Sequence, residues 1–176
     1  SIGGWQRVSN NKFIGTARKI YDFVTLTSQN LLFIGTEKKT FLENAGTFSD
    51  ITSIRSTLSL GSNPVNTSGG AGSGVITVTT QTAHGAATGD FVTFASLTTT
   101  DGITAAQLNI EHEITSIPST TTFTVTTAGA ATSGTTAGGG SSGTAAFQIA
   151  IGINTTILGS GWSAGTWGRF TWGSAS

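Results

Sequence analysis

Two histidines and one acid–histidine–acid triplet are the residues that most invite a chemical reading. His84 stands in His84-Gly85-Ala86-Ala87-Thr88-Gly89-Asp90, where a nucleophilic reading would pair it with Asp90 and a serine. The chain has too many serines to single one out. His84 reads instead as a turn cap, bonded to backbone while the neighbouring glycines take positive φ. Glu111-His112-Glu113 has the composition of a metal cluster. Along a strand, however, Glu111 and Glu113 share one face and His112 points to the other. Three successive strand residues cannot converge on one ion without a bulge. A glycosidase-type carboxylate pair fails similarly, because nothing places a second acid opposite. Glu111 and Glu113 read as exposed strand carboxylates. The expectation is no catalytic, cofactor-binding or metal-binding residue, and no enzyme.

The elements that would carry these residues read as strands. Residues 19–26, 31–36 and 40–43 are rich in β-branched and aromatic side chains, with turns at Ser28-Gln29-Asn30 and Asn44-Ala45-Gly46 and a charged tip at Glu37-Lys38-Lys39. Leu31-Leu32-Phe33-Ile34 is a near-continuous apolar run, the mark of a strand buried on both faces. Residues 47–54 hold one more strand. Composition changes at Gly61-Ser62-Asn63-Pro64, after which the chain to Gly74 has linker or loop chemistry. Strands are then expected at 75–80, 90–94, 110–117 (closed by Pro118) and 121–126, with one helical turn at 104–109. Ile76, Val78, Phe91 or Phe94, Ile114, Phe123 and Val125 would form their core. A second glycine-rich tether spans 129–143, and a strand resumes at 145–151. No window shows a helical period. The fold expected is all-β: an antiparallel meander, of which a propeller-like arrangement is one form, with an inserted small β-barrel or sandwich. The divisions are 1–62 for the meander, 63–143 for the insert with its tethers, and 144–176 for return strands and a Trp-Gly segment.

Composition narrows the function classes. Of 176 residues only 9% are charged, against about 25% in an average soluble domain. Mean hydropathy is +0.11, too apolar for wholesale disorder. Absence of cysteine excludes disulfides, thiolate zinc sites and cysteine nucleophiles. No apolar run approaches the roughly 18 residues of a membrane-spanning helix, so membrane insertion is not expected. Net charge is zero, yet residues 56–168 contain no Lys or Arg. That stretch cannot grip phosphates, and without a Lys it cannot hold a P-loop. The cations of residues 1–55 are interleaved with acids and read as a solvated face. A chain that starts at Ser1 and holds no Met reads as a processed product or a piece of something longer.

The end of the chain repeats an aromatic–glycine unit: Gly161-Trp162, Trp167-Gly168 and Trp172-Gly173, with Arg169 the one charge among them. Aromatic faces could stack on sugars. Without clustered Asn, Asp and Arg to hold hydroxyls, packing against another chain is the better reading. Trp162, Trp167, Arg169 and Trp172 are therefore the candidate interface residues.

One further pattern runs through His84-Gly85, Thr88-Gly89-Asp90-Phe91-Val92, Leu108-Asn109, Ile114-Thr115-Ser116-Ile117 and Thr122-Phe123-Thr124-Val125. It resembles a β-module of phage virion proteins, named after the first catalytic cysteine half-domain of ubiquitin-activating enzymes. Ile110 stands where that module usually has Gly. Lacking cysteine, this chain carries over only the module's shape. Gly4-Trp5-Gln6-Arg7, Leu31–Thr36, Phe48–Thr52 and Gly161–Gly168 are similar to an internal region of podovirus-type tail nozzle, or DNA-stabilisation, proteins. The resemblance implies a virion tail location and a ring of identical subunits, a hexamer in that family. It also implies contacts with neighbouring adaptor or fibre proteins, and DNA only as passing cargo. The competing expectation is a module that binds host glycan.

Overall fold

The computed structural model describes residues 11–134 and 136–149. Strands β1 (Ala17–Val24), β2 (Asn30–Thr36), β3 (Thr40–Asn44) and β4 (Thr47–Asp50) form a four-stranded antiparallel meander in chain order. The β3–β4 connection is a two-residue turn in which Ala45 and Gly46 both have positive φ, 49° and 86°. That is the mirror-image turn whose twist matches paired strands.

The remaining strands are β5 (Ile54–Gly61), β6 (Val65–Asn66), β7 (Val75–Thr79), β8 (Phe91–Ala95), β9 (Glu111–Ser119), β10 (Thr122–Thr126), β11 (Ala137–Gly138) and β12 (Gly143–Gln148). They form one antiparallel sheet in the order β11-β6-β7-β10-β9-β8-β12-β5. A single helical turn, α1 (Ala105–Leu108), carries a capping box between Thr104 and Gln107. The chain is all-β and antiparallel, as its strand-like patterns require.

Among the described residues this sheet does not close into a barrel, because β11 and β5 stand at its two ends. It bends at β9 instead. The first residues of β9 pair with β8, its later ones pair with β10, and the register shifts between Val125 and Thr124 and again before Thr122. Phe123 on β10 and Phe147 on β12 are three strand steps apart, about 14 Å on a flat sheet. Their ring centroids lie 5.5 Å apart. The two halves therefore face each other, with Ile76, Val78, Phe94, Ile114, Phe123, Val125 and Phe147 buried between them. Alternation explains the sorting: on β7 and β10 the apolar residues point in and the threonines out. Phe94 belongs to this core, whereas Phe91 is buried elsewhere.

Three expectations need correction. The apolar run of β2 is not buried on both faces: Ile34 is buried, while Leu31, Leu32 and Phe33 are half-buried. Strand β9 does not stop at Pro118 but runs through it to Ser119, the missing N–H falling at an irregularity of the ladder. The two glycine-rich stretches are not free linkers. Asn66 and Val65 pair with Ala137 and Gly138, Thr67 N–H donates to the Thr136 carbonyl, and Gly72 N–H donates to the Ala131 carbonyl. Val65 and Thr67 are fully buried. Glycine is needed there for close approach: a Cβ on Gly74 would lie 2.4 Å from the Thr127 carbonyl oxygen. Strands β5 and β12, from either side of 63–143, are paired with each other and, through β8, with the same sheet.

Candidate functional site

The turn between β2 and β3 is set by one hydroxyl. Thr36 Oγ1 accepts the N–H groups of Lys38 and Lys39 at 3.1 and 2.8 Å, and Thr36 N–H donates to the Lys39 carbonyl at 2.8 Å. This folds Glu37 and Lys38 into the tip and turns Lys39 inward, where its side chain is only 1% exposed. The charged tip is thus charged at two positions, not three.

Lys39 is buried with partners. Its Nζ donates to Asp50 Oδ2 at the end of β4, and to both carboxylate oxygens of Glu111 on β9, at 2.6 Å each. The Phe91 ring on β8 closes over it, with the centroid 4.5 Å from Nζ. Gln148, on β12, donates its side-chain amide to Glu111 Oε2 at 2.6 Å, and its own Oε1 has no partner among the described residues. Beside this group Lys38 Nζ meets Glu113 Oε1 at 2.9 Å. Burial pushes the Asp50 carboxyl up, but hydrogen bonds from Lys39 and Thr52 outweigh it and hold the group below its ordinary value. An ammonium so placed is tolerable only because its donors are satisfied.

The face-sharing of Glu111 and Glu113, with His112 opposite, is what the strand geometry requires. The reading as exposed carboxylates holds for Glu113, which is exposed though ion-paired, and is corrected for Glu111, whose side chain is ion-paired and only 30% exposed. A second acid does lie opposite, since Asp50 reaches the same lysine. Sequence reasoning missed this because Lys39, Asp50, Glu111 and Gln148 come from four separate strands or turns. The one local signal was an acid–His–acid strand whose acids needed partners.

The histidines are taken up by the fold. His84 is buried. Ala86 N–H donates to its Nδ1 at 3.0 Å, so Nε2 carries the proton and donates to the Ser119 carbonyl at 3.2 Å. Gly85 follows at φ 58°, and Arg55 donates to the carbonyls of His84 and Gly85. This is the turn-capping role. His112 is buried against Phe94 and donates from Nε2 to the Leu108 carbonyl at 3.1 Å. Asp90 lies in the same turn as His84, but its Oδ2 accepts from Ala87 N–H. The spacing Gly-x-Ser-x-Gly occurs at Gly139-Gly140-Ser141-Ser142-Gly143, yet it joins two strands rather than a strand to a helix, so no nucleophile elbow forms. The same spacing at Gly161–Gly165 lies outside the described residues, as do Trp162, Trp167, Arg169 and Trp172.

A second polar cluster sits at Asp101. Asp101-Gly102 forms a turn with φ 47° and 86°. Asp101 accepts from Ser133 Oγ and N–H, Thr132 Oγ1, Gly134 N–H and Thr67 Oγ1, at 2.6 to 3.0 Å. The Ser133 and Thr132 hydroxyls foremost hold its carboxyl far below the usual range. With every lone-pair direction used, it is an anchor for the 132–136 loop. Among the described residues no group of three His, Cys, Asp or Glu side chains could hold a metal ion, and no helix is long and apolar enough to cross a membrane.

No family model and no curated protein matches this chain. Among solved structures it is similar to the endosialidase of phage phi92, at a TM-score of 0.41 and 19% identity. The overlap takes in 80% of this chain and 21% of the endosialidase, so the chain spans about a fifth of that protein. A likeness so loose carries no argument about function.

Proposed function

We propose that this chain is part of a non-catalytic structural protein of a tailed-phage tail, in the nozzle or neck ring that continues the DNA channel and retains the genome. The observation that carries the reading is how the reactive side chains are used. Both nitrogens of His84 cap a turn, His112 ties β9 to α1, Asp101 anchors a loop, and Lys39 joins two sheets. Side chains committed in this way suit a protein whose work is to keep its shape. The absence of Lys and Arg from 56–168 adds support, since a surface that does not hold phosphates lets DNA slide past. The resemblance to nozzle proteins supports that location.

In this reading the partners are further copies of the same chain in a ring, a hexamer, together with neighbouring adaptor or fibre proteins. DNA is cargo. Trp162, Trp167, Arg169 and Trp172 face another chain, because three tryptophans in so short a segment need an apolar partner. A closed ring would also cover β1 and β5, which end their sheets among the described residues. The test is native mass spectrometry of the longest chain containing these residues, with quenching of tryptophan fluorescence in the assembly. A closed ring with protected tryptophans is expected. A monomer, or quenching as complete as for free indole, would overturn the reading. Glycan binding lost on Trp162→Ala or Trp167→Ala would transfer the assignment to a host-recognition module.

A further inference from the structure

We propose that Lys39 and Asp50 condense within the folded protein into a side-chain amide bond, with Glu111 carrying the protons. Three features of the buried cluster converge on this chemistry. The Lys39 side chain is 1% exposed and the Phe91 ring covers it at 4.5 Å, so the amine meets only what the fold puts beside it. What the fold puts there is a carboxylate on the adjoining strand. Asp50 is paired with Phe41, and Lys39, two residues before Phe41, shares its face. The hairpin therefore fixes amine and carboxyl in contact, an arrangement that raises the effective concentration of one toward the other by many orders of magnitude. Finally, a second carboxylate stands within proton-transfer distance of the same nitrogen, both oxygens of Glu111 lying 2.6 Å from Nζ. Gln148 donates to Glu111 Oε2 and so holds that carboxylate in place beside Nζ.

The step balances without an oxidant or a metal. Glu111 takes a proton from the Lys39 ammonium and passes it to the Asp50 carboxyl, leaving a neutral amine beside a neutral acid. The nitrogen lone pair attacks Asp50 Cγ, an Nζ–Cγ bond forms, and one Cγ–O bond breaks. That oxygen leaves as water with two of the three ammonium protons, the third stays on the amide nitrogen, and Glu111 ends as it began. The product is neutral where the reactants were a buried ion pair, so the desolvation of the lysine no longer opposes folding. It ties the β2–β3 turn to β4 in a chain that has no cysteine for a disulfide.

Intact-mass measurement of the purified chain in denaturant tests this directly. The expected mass is lower than the sequence mass by one water, and a digest should yield a branched peptide joining Lys39 to Asp50, with no tryptic cut after Lys39. Lys39→Arg keeps the charge and Glu111→Gln keeps the shape; each should return the chain to the full sequence mass. Wild-type protein at full sequence mass overturns the proposal. A water loss that persists in Lys39→Arg, such as ring closure at Asp101-Gly102, overturns it too, as does a branch at Glu111. If Glu111→Gln still condenses, the role given to Glu111 is wrong. Should Lys39→Arg fail to fold, the wild-type mass and peptide map decide alone.

Discussion

Lys39 shows how far one side chain's partners reach: they lie on β4, β8 and β9, and through Glu111 on β12. Lys39→Ala would leave Asp50 and Glu111 facing each other without a cation. The expected loss in a denaturant titration is about 3 kcal/mol, the low end for breaking a buried pair, because both carboxylates keep about a third of their surface in water. Asp101 acts differently, through donors alone. Its carboxyl is held below the value of about 3.9 that it has in an unfolded chain. The stabilisation is therefore fully present above that value and is lost as pH falls toward the lower folded-state value. Asp101→Asn should be less stable than wild type near neutrality, and the two denaturation midpoints should converge on acidification. A gap that stays constant with pH would show that the charge of Asp101 is not what holds the 132–136 loop.

At the scale of elements, the bend of β9 decides where the core lies. Phe123 is fully buried and contacts the rings of Phe94, Phe147 and His84, residues of three other segments. Phe123→Ala should cost about 3–5 kcal/mol, the range for a truncated core aromatic. Calorimetry returning a loss below about 1 kcal/mol would mean that the halves of the sheet do not close on this ring. By contrast, β1 leaves Ile20, Tyr21 and Val24 more than half exposed on an edge strand. The four-stranded meander therefore has far less apolar burial behind it than the eight-stranded sheet.

For the whole molecule, the apolar cluster is drawn entirely from residues 58–147. It takes Leu58 and Leu60 from β5, and Ala145 and Phe147 from β12. A fragment of residues 54–149 should accordingly fold alone and give a dispersed amide NMR spectrum. A fragment limited to 63–143 should not, because it lacks β12 and β5 and leaves the edge of β8 and one side of Phe123 uncovered. If the shorter fragment folds as well as the longer, the flanking strands are accessory rather than part of the core.

The local facts were legible in the sequence because they depend on neighbours along the chain. Alternation placed Ile76, Val78, Phe123 and Val125 inside, Asn44-Ala45-Gly46 marked a hairpin, and Thr104 to Asn109 contained a helical turn. The opposite faces of Glu111 and His112 followed from the two-residue period of a strand. Strand β5 and the pairing of the glycine-rich stretches were not legible, because short polar segments such as Val65–Asn66 and Ala137–Gly138 owe their conformation to each other. Nor was the buried lysine. A Lys next to another Lys in a charged turn is solvated unless distant acids are brought to it, and Asp50 and Glu111 are brought there only when two sheets meet. Periodicity fixes which way a side chain points from its own strand; the tertiary structure alone decides what it then meets, because contact depends on strand order and bending that no local spacing encodes.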